Sequence, residues 1–146
     1  MKMSTKGRYG LRVMMELATR YGKGPVLAEA ISKNQEISEK YIHVLVNNLR
    51  SAGIARSVRG PSGGYELARS PGSITAFDVV SALEGKSTPV DCVADASVCS
   101  RSRKCATRDI WCDIASAVDK VLTSITLEQL VEKQKAKQQE PDMYFI

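Results

Sequence analysis

The chain has 146 residues, enough for one domain with its own apolar core plus appendages. No run approaches the roughly 20 apolar residues of a membrane span, and the start, Met-Lys-Met-Ser-Thr-Lys-Gly-Arg-Tyr-Gly, has no apolar signal region, so a cytoplasmic protein without a membrane anchor is expected. Residues 1–70 carry 12 Lys/Arg against 5 Asp/Glu and residues 71–146 carry 9 against 11, so only the front half suits a polyanion.

Leu11, Met14, Met15 and Ala18 follow at i, i+3, i+4 and i+7, which predicts an amphipathic helix over Lys6–Tyr21, with Ser4 or Thr5 as its cap. The Gly and Pro residues of 21–25 end it. A short helix over Leu27–Asn34 follows, and then a third from the Ser38 cap to about Ala52, closed by Gly53. Two short helices with a tight turn, the second capped and amphipathic, form a helix-turn-helix. Ile54–Val58 and Tyr65–Leu67 then read as strands around Arg59-Gly-Pro-Ser-Gly-Gly64, a hairpin with a basic, glycine-rich tip.

Thr75 caps a helix to about Glu84, and Gly85 to Ala106 shows neither helical nor strand period. Thr107 is the expected cap of a last long helix to about Ser124. On it Trp111, Ile114, Val118, Val121 and Ile125 step by 3 and 4, a short seam that suits a dimer contact or an internal packing face. Thr126-Leu-Glu-Gln129 reads as a capping box for a terminal turn, and the Lys/Gln-rich chain after Val131 is expected to fray. The fold class is mainly α with a small β-wing. The expected domains are a winged helix-turn-helix over 1–84, a cysteine loop over 85–106, a dimerisation helix and terminal turn over 107–131 and a flexible tail over 132–146.

On the third helix Ile42, Leu45, Val46 and Leu49 form the inward stripe. Lys40, His43 and Asn47 form the outward one, flanked by Glu39 and Arg50. That is how a recognition helix presents side chains to base edges in the major groove, and also how a plain solvated face looks. The wing decides between them: Arg56 and Arg59 flank a tip whose Gly60, Ser62 and Gly63 let backbone and Arg59 approach phosphates or a minor groove. Double-stranded DNA is therefore the expected partner.

Cys92, Cys99, Cys105 and Cys112 are the only cysteines, all within one stretch. Their spacing is neither that of a zinc ribbon nor a Cys-x-x-Cys redox motif. Iron–sulphur clusters accept such irregular loops, and Arg101, Arg103 and Lys104 would favour thiolates. Chemistry alone leaves three readings: metal ligands, redox-sensing thiols or incidental cysteines.

Taken together, Ser4–Gly10 (STKGRYG), Ile37–Tyr41 (ISEKY), Ser57–Tyr65 (SVRGPSGGY), the triplet Cys92, Cys99 and Cys105, and Ser124–Leu130 (SITLEQL) resemble the Rrf-two family of winged-helix repressors, most of all its iron–sulphur cluster regulator (IscR) type. The resemblance implies a homodimer built on the long C-terminal helix. It also implies a cluster, 2Fe–2S ahead of 4Fe–4S, held by Cys92, Cys99, Cys105 and one further ligand. Where that type has a histidine three residues after the triplet, this chain has Arg108, and where nitric-oxide-sensing relatives have a carboxylate near the start it has Arg8. Cys112, Asp109, a residue of the partner protomer or an exchangeable small molecule remain as fourth ligand. The function expected is a DNA-binding repressor, not an enzyme, that responds to the cluster. The alternatives are a metal-free repressor sensing thiol or cysteine status and an iron–sulphur electron-transfer protein.

Overall fold

A computed structural model describes residues 3–85 and 88–141. Helix α1 (Thr5–Thr19) starts at Ser4, whose hydroxyl accepts from the Lys6 amide at 3.1 Å. Its buried face is Gly7, Gly10, Val13, Met14, Leu17 and Ala18, with Leu11 and Met15 only half-buried. Met14 and Ala18 of the expected Leu11, Met14, Met15 and Ala18 stripe are thus inward, and the buried face is rotated toward Gly7, Gly10, Val13 and Leu17. The cause is a close neighbour: a Cβ at Gly10 would collide with Leu83, and one at Gly7 would lie 2.6 Å from Glu84 Oε1. Glu84 accepts from the Gly7 amide at 3.0 Å and from the Ser4 hydroxyl, placing a carboxylate at the positive end of α1.

Helices α2 (Ala28–Gln35) and α3 (Glu39–Ser51) are joined by a tight turn in which Glu36 takes the left-handed conformation at φ 55°. Ser38 caps α3, accepting from the Tyr41 amide at 3.3 Å. Ile42, Leu45, Val46 and Leu49 are its buried residues, the stripe that periodicity predicts. They meet Val13, Met14, Leu17, Ile31 and Leu67 in one core.

Strands β1 (Ala55–Val58) and β2 (Gly64–Leu67) pair antiparallel, Ala55 opposite Leu67 and Val58 opposite Gly64. Tyr65 also exchanges both backbone hydrogen bonds with Val26 at 2.8 Å, which lashes the wing to the segment before α2. Two glycines make this possible. Gly64 sits at φ +145° with no room for a Cβ beside the Val26 carbonyl, and a Cβ at Gly63 would strike the Val58 carbonyl.

Helix α4 (Ala76–Glu84) opens with a reciprocal capping box between Thr75 and Asp78. The cysteine stretch is not aperiodic throughout: a one-turn helix α5 (Asp91–Ala94) and 3-10 turns at Ala96–Val98 and Ser102–Lys104 occupy it. The long helix α6 (Ala106–Thr123) has Cys105, not Thr107, in its cap position and no side-chain cap. Thr107 lies inside the first turn, where its hydroxyl faces Cys105 Sγ at 3.1 Å.

The Thr126–Gln129 capping box then starts α7 (Leu127–Gln139), well beyond the expected terminal turn. Leu127 and Val131 are buried in the core, and the Lys/Gln run that follows consists of good helix formers, so the helix continues where fraying was expected. Residues 142–146 of the expected tail lie outside the described residues. Among the described residues no helix is long and apolar enough to cross a membrane.

Gly10→Val forces branched carbons into the space of Leu83, so it should lower stability by about 2–3 kcal/mol. A thermal or urea denaturation curve measures this, and an unchanged midpoint would mean that α4 moves away freely.

Candidate nucleic-acid interface and cysteine segment

The outward stripe of α3 and the wing lie side by side. Glu39, Lys40, His43, Asn47 and Arg50 are all exposed. Arg50 donates to Asn47 Oδ1 at 3.4 Å, so these two partly occupy each other. Arg56 pairs with Glu66 across the hairpin at 2.7 Å. Arg59, Gly60 and Ser62 are exposed at the tip, and Arg59 has no ion pair among the described residues. Gly63 is buried and its amide donates to the Gly60 carbonyl at 3.0 Å, so its contribution is compactness rather than a free donor.

His43 is not free-standing. Its Nδ1 lies 2.5 Å from the Tyr65 hydroxyl, and the two rings meet edge-to-face at 5.7 Å. Sequence reasoning missed Tyr65. The available signal was an aromatic residue immediately after the glycine pair of the wing.

The cysteine segment lies between α4 and α6. Arg108, on the first turn of α6, donates through Nε to the Cys92 carbonyl at 2.8 Å and so ties the segment back onto the helix. All four cysteines are free and half-buried. Cys105 is the chemically distinct one. The Thr107 hydroxyl, followed by the Arg108 backbone amide, holds its thiol below the ordinary cysteine range. The donor set, thiols beside Arg101, Arg103 and Lys104, fits a thiolate-bound metal centre in chemistry. Among the described residues, however, no three His, Cys, Asp or Glu side chains are gathered as a metal shell.

A groove of about 440 Å³ runs between α4, α5 and α6, lined by Phe77, Val80, Val93, Ala115, Val118 and Leu122. Val118 of the expected seam lines this groove. The outward apolar residues of α6 are Ile110, Trp111 and Val121, at 56%, 38% and 57% exposure, and no α6 residue is buried.

Residues 3–133 match the profile of Rrf2, described as an iron-dependent transcriptional regulator. The chain belongs to the Rrf2 family. The transcriptional regulator CymR of Bacillus subtilis is 42% identical over 146 residues, the full length of both chains. The solved structure of CymR, named the global cysteine regulator of B. subtilis, superposes with a TM-score of 0.77 at 43% identity, covering 91% of this chain and 98% of that one. The structure of T. potens IscR superposes with a TM-score of 0.79 at 35% identity, covering 99% and 97%. Membership makes the protein a DNA-binding transcription regulator of winged-helix fold and not an enzyme, which answers the electron-transfer alternative.

The lowered Cys105 thiol gives a pH test on metal-free protein. A lowered pKa means more thiolate, the reactive form, at a given pH. Alkylation of Cys105, followed by peptide mass spectrometry, should therefore rise at lower pH than for an ordinary thiol. Thr107→Val removes the leading cause and should move that rise to higher pH; an unmoved curve would assign no role to the hydroxyl.

Proposed function

We propose that the protein is a homodimeric repressor that reads duplex DNA with α3 and the wing and carries its sensor in the cysteine segment. Lys40, Asn47 and Arg50, with Glu39 and His43, face the major groove. Arg56, Arg59 and the exposed tip residues Gly60 and Ser62 meet phosphates or the adjacent minor groove, while buried Gly63 keeps the tip compact. The observation that carries this reading is the segment's position: Val93 and Ala94, next to Cys92, line a groove with α4, which belongs to the DNA-binding core, and with α6, whose exposed apolar face suits a second copy of the chain.

The sensor is an iron–sulphur cluster, 2Fe–2S ahead of 4Fe–4S, which Cys92, Cys99 and Cys105 would hold. When bound it supplies a redox-active, removable metal centre. Arg108 cannot complete the donor set, since a guanidinium stays protonated and has no free lone pair. Cys112 or Asp109 on α6, a partner residue or a small molecule supplies the last position. The residues near the thiols do separate work. Arg101, Arg103 and Lys104 offset negative charge, and Arg108 holds the Cys92 backbone.

A second reading is favoured by two observations, the ungathered cysteines and the likeness to a cysteine regulator. In it the thiols, Cys105 first, sense thiol status without metal. A UV–visible spectrum of anaerobically purified protein, with iron and sulphide counted per chain, separates the two. Visible bands with matching iron and sulphide support the cluster. Colourless, iron-free protein whose operator binding changes on thiol oxidation supports the second reading.

Two variants test the architecture. Arg59→Ala should weaken DNA binding and lower the salt slope by about one unit, leaving the fold intact. An unchanged slope would remove Arg59 from the interface. Val121→Asp places an unpaired charge on the outer face of α6, where burial costs several kcal/mol. Sedimentation should then show monomer, and a persistent dimer would relocate the interface.

A further inference from the structure

Tyr65 occupies a three-way junction. Its backbone pairs with Val26 on one side and sits opposite Ser57 of β1 on the other, while its hydroxyl meets His43 Nδ1 on α3 at 2.5 Å. The ring position is therefore set by two strands of backbone pairing, not by side-chain packing alone. His43 is exposed on the outward stripe of α3, and its Nε2 has no partner among the described residues.

A neutral imidazole carries one donor and one acceptor nitrogen, and which is which follows from the bond that one of them makes. A phenol is a stronger donor than acceptor, and the unprotonated imidazole nitrogen is the stronger acceptor of the pair. The Tyr65 O–H therefore donates to Nδ1, and the ring proton resides on Nε2. We propose that Tyr65 is a specificity-determining positioning residue: it orients His43 so that Nε2–H projects from α3 as a hydrogen-bond donor to an acceptor-bearing base edge of duplex DNA.

This rests on the reading of α3 as the DNA-facing helix and deepens it. In the major groove a lone N–H can donate to guanine N7 or O6, adenine N7 and thymine O4, and is mismatched with the cytosine amino group, itself a donor. The wing is thereby more than a phosphate clamp. Through Tyr65 it fixes the hydrogen-bonding sense of a side chain on the neighbouring helix.

Two measurements on the full, untagged chain test this. His43 is the only histidine, so the imidazole nitrogens of 15N-histidine-labelled, DNA-free protein report on it alone. At a pH where the ring is neutral, the expected spectrum shows protonated Nε2 and hydrogen-bonded, unprotonated Nδ1. Tyr65→Phe, which keeps the ring and the backbone pairing, should abolish the hydrogen-bonded Nδ1 signature. A proton on Nδ1, or an identical spectrum in Tyr65→Phe, overturns the assignment.

The second measurement selects preferred sites from a random duplex pool with wild type, Tyr65→Phe and His43→Ala. Both variants should relax preference at the same base position. Affinity for the wild-type site should fall about tenfold more than affinity for random duplex, the loss of one good base contact. Relaxation at different positions, or equal losses on all sequences, overturns it. If wild type selects no site, the operator-reading function fails and base reading falls with it, while the nitrogen spectrum still decides the Tyr65–His43 pairing.

Discussion

The absence of a side chain at residue 10 sets how closely α1 and α4 approach, and much of the remaining structure takes its position from that contact. With Leu83 seated over Gly10, Val79 and Leu83 join Val13 and Met14 in the core. Burying each such side chain contributes about 1.5–3 kcal/mol, an upper estimate because the unfolded chain already hides part of its surface. Glycine inside a helix costs about 1 kcal/mol relative to alanine. The packing gained across α1 and α4 exceeds that cost, which explains a glycine pair three residues apart on one helical face. Glu84 finishes the contact, its carboxylate held by the Gly7 amide and the Ser4 hydroxyl.

Helix α4 is then a wall shared by two regions. Val79 and Leu83 face the core with α1, while Phe77 and Val80 line the groove against α5 and α6. Backbone bonds from Ala76 to the Ile125 carbonyl, 2.8 Å, and from Leu127 to the Ile74 carbonyl, 2.9 Å, fasten the start of α4 to the α6–α7 junction. The cysteine segment has fewer ties. Its buried Ser102 hydroxyl has no hydrogen-bond partner among the described residues, and Arg108 joins it to α6 through the Cys92 carbonyl. With few ties to the rest of the fold, the segment is a place where rearrangement meets little resistance. Gathering thiols around a metal would draw on that softness while α4 remains fixed.

The elements with strong local periodicity were legible in the sequence. The α3 stripe, the Thr75 cap and the Thr126 capping box follow from residue spacing alone, and the hairpin follows from its glycines. The errors come from contacts between distant segments. The inward face of α1 is set by Leu83 and Glu84, which no local pattern within residues 6–21 reveals. Fraying after Val131 was inferred from polarity, yet the buried Leu127 and Val131 nucleate α7 and carry the polar run with them. The cap of α6 was misassigned because Thr107 engages a thiol rather than a backbone amide. In the candidate site, exposure of His43 was readable from helical phase. Its bond to Tyr65 depends on a strand register anchored at Val26, 39 residues earlier.

The charges at the wing follow the same division between local pattern and tertiary arrangement. Composition gives the front half a basic excess, but not which cations are free. Arg56 is paired with Glu66, and Arg69 lies 3.4 Å from Asp78 beside the α4 cap. The Arg56 side chain is 63% exposed, and surface pairs of that kind contribute about 0.2–1 kcal/mol. Exchanging Glu66 for a phosphate therefore costs little, while in free protein the pair keeps Arg56 extended along the hairpin. Arg59 has no such carboxylate among the described residues. The wing thus combines one cation held in place by a weak internal partner with one left open at a glycine-rich tip. In the proposed DNA-bound state the first would favour a defined geometry, and the second a close approach to the DNA backbone.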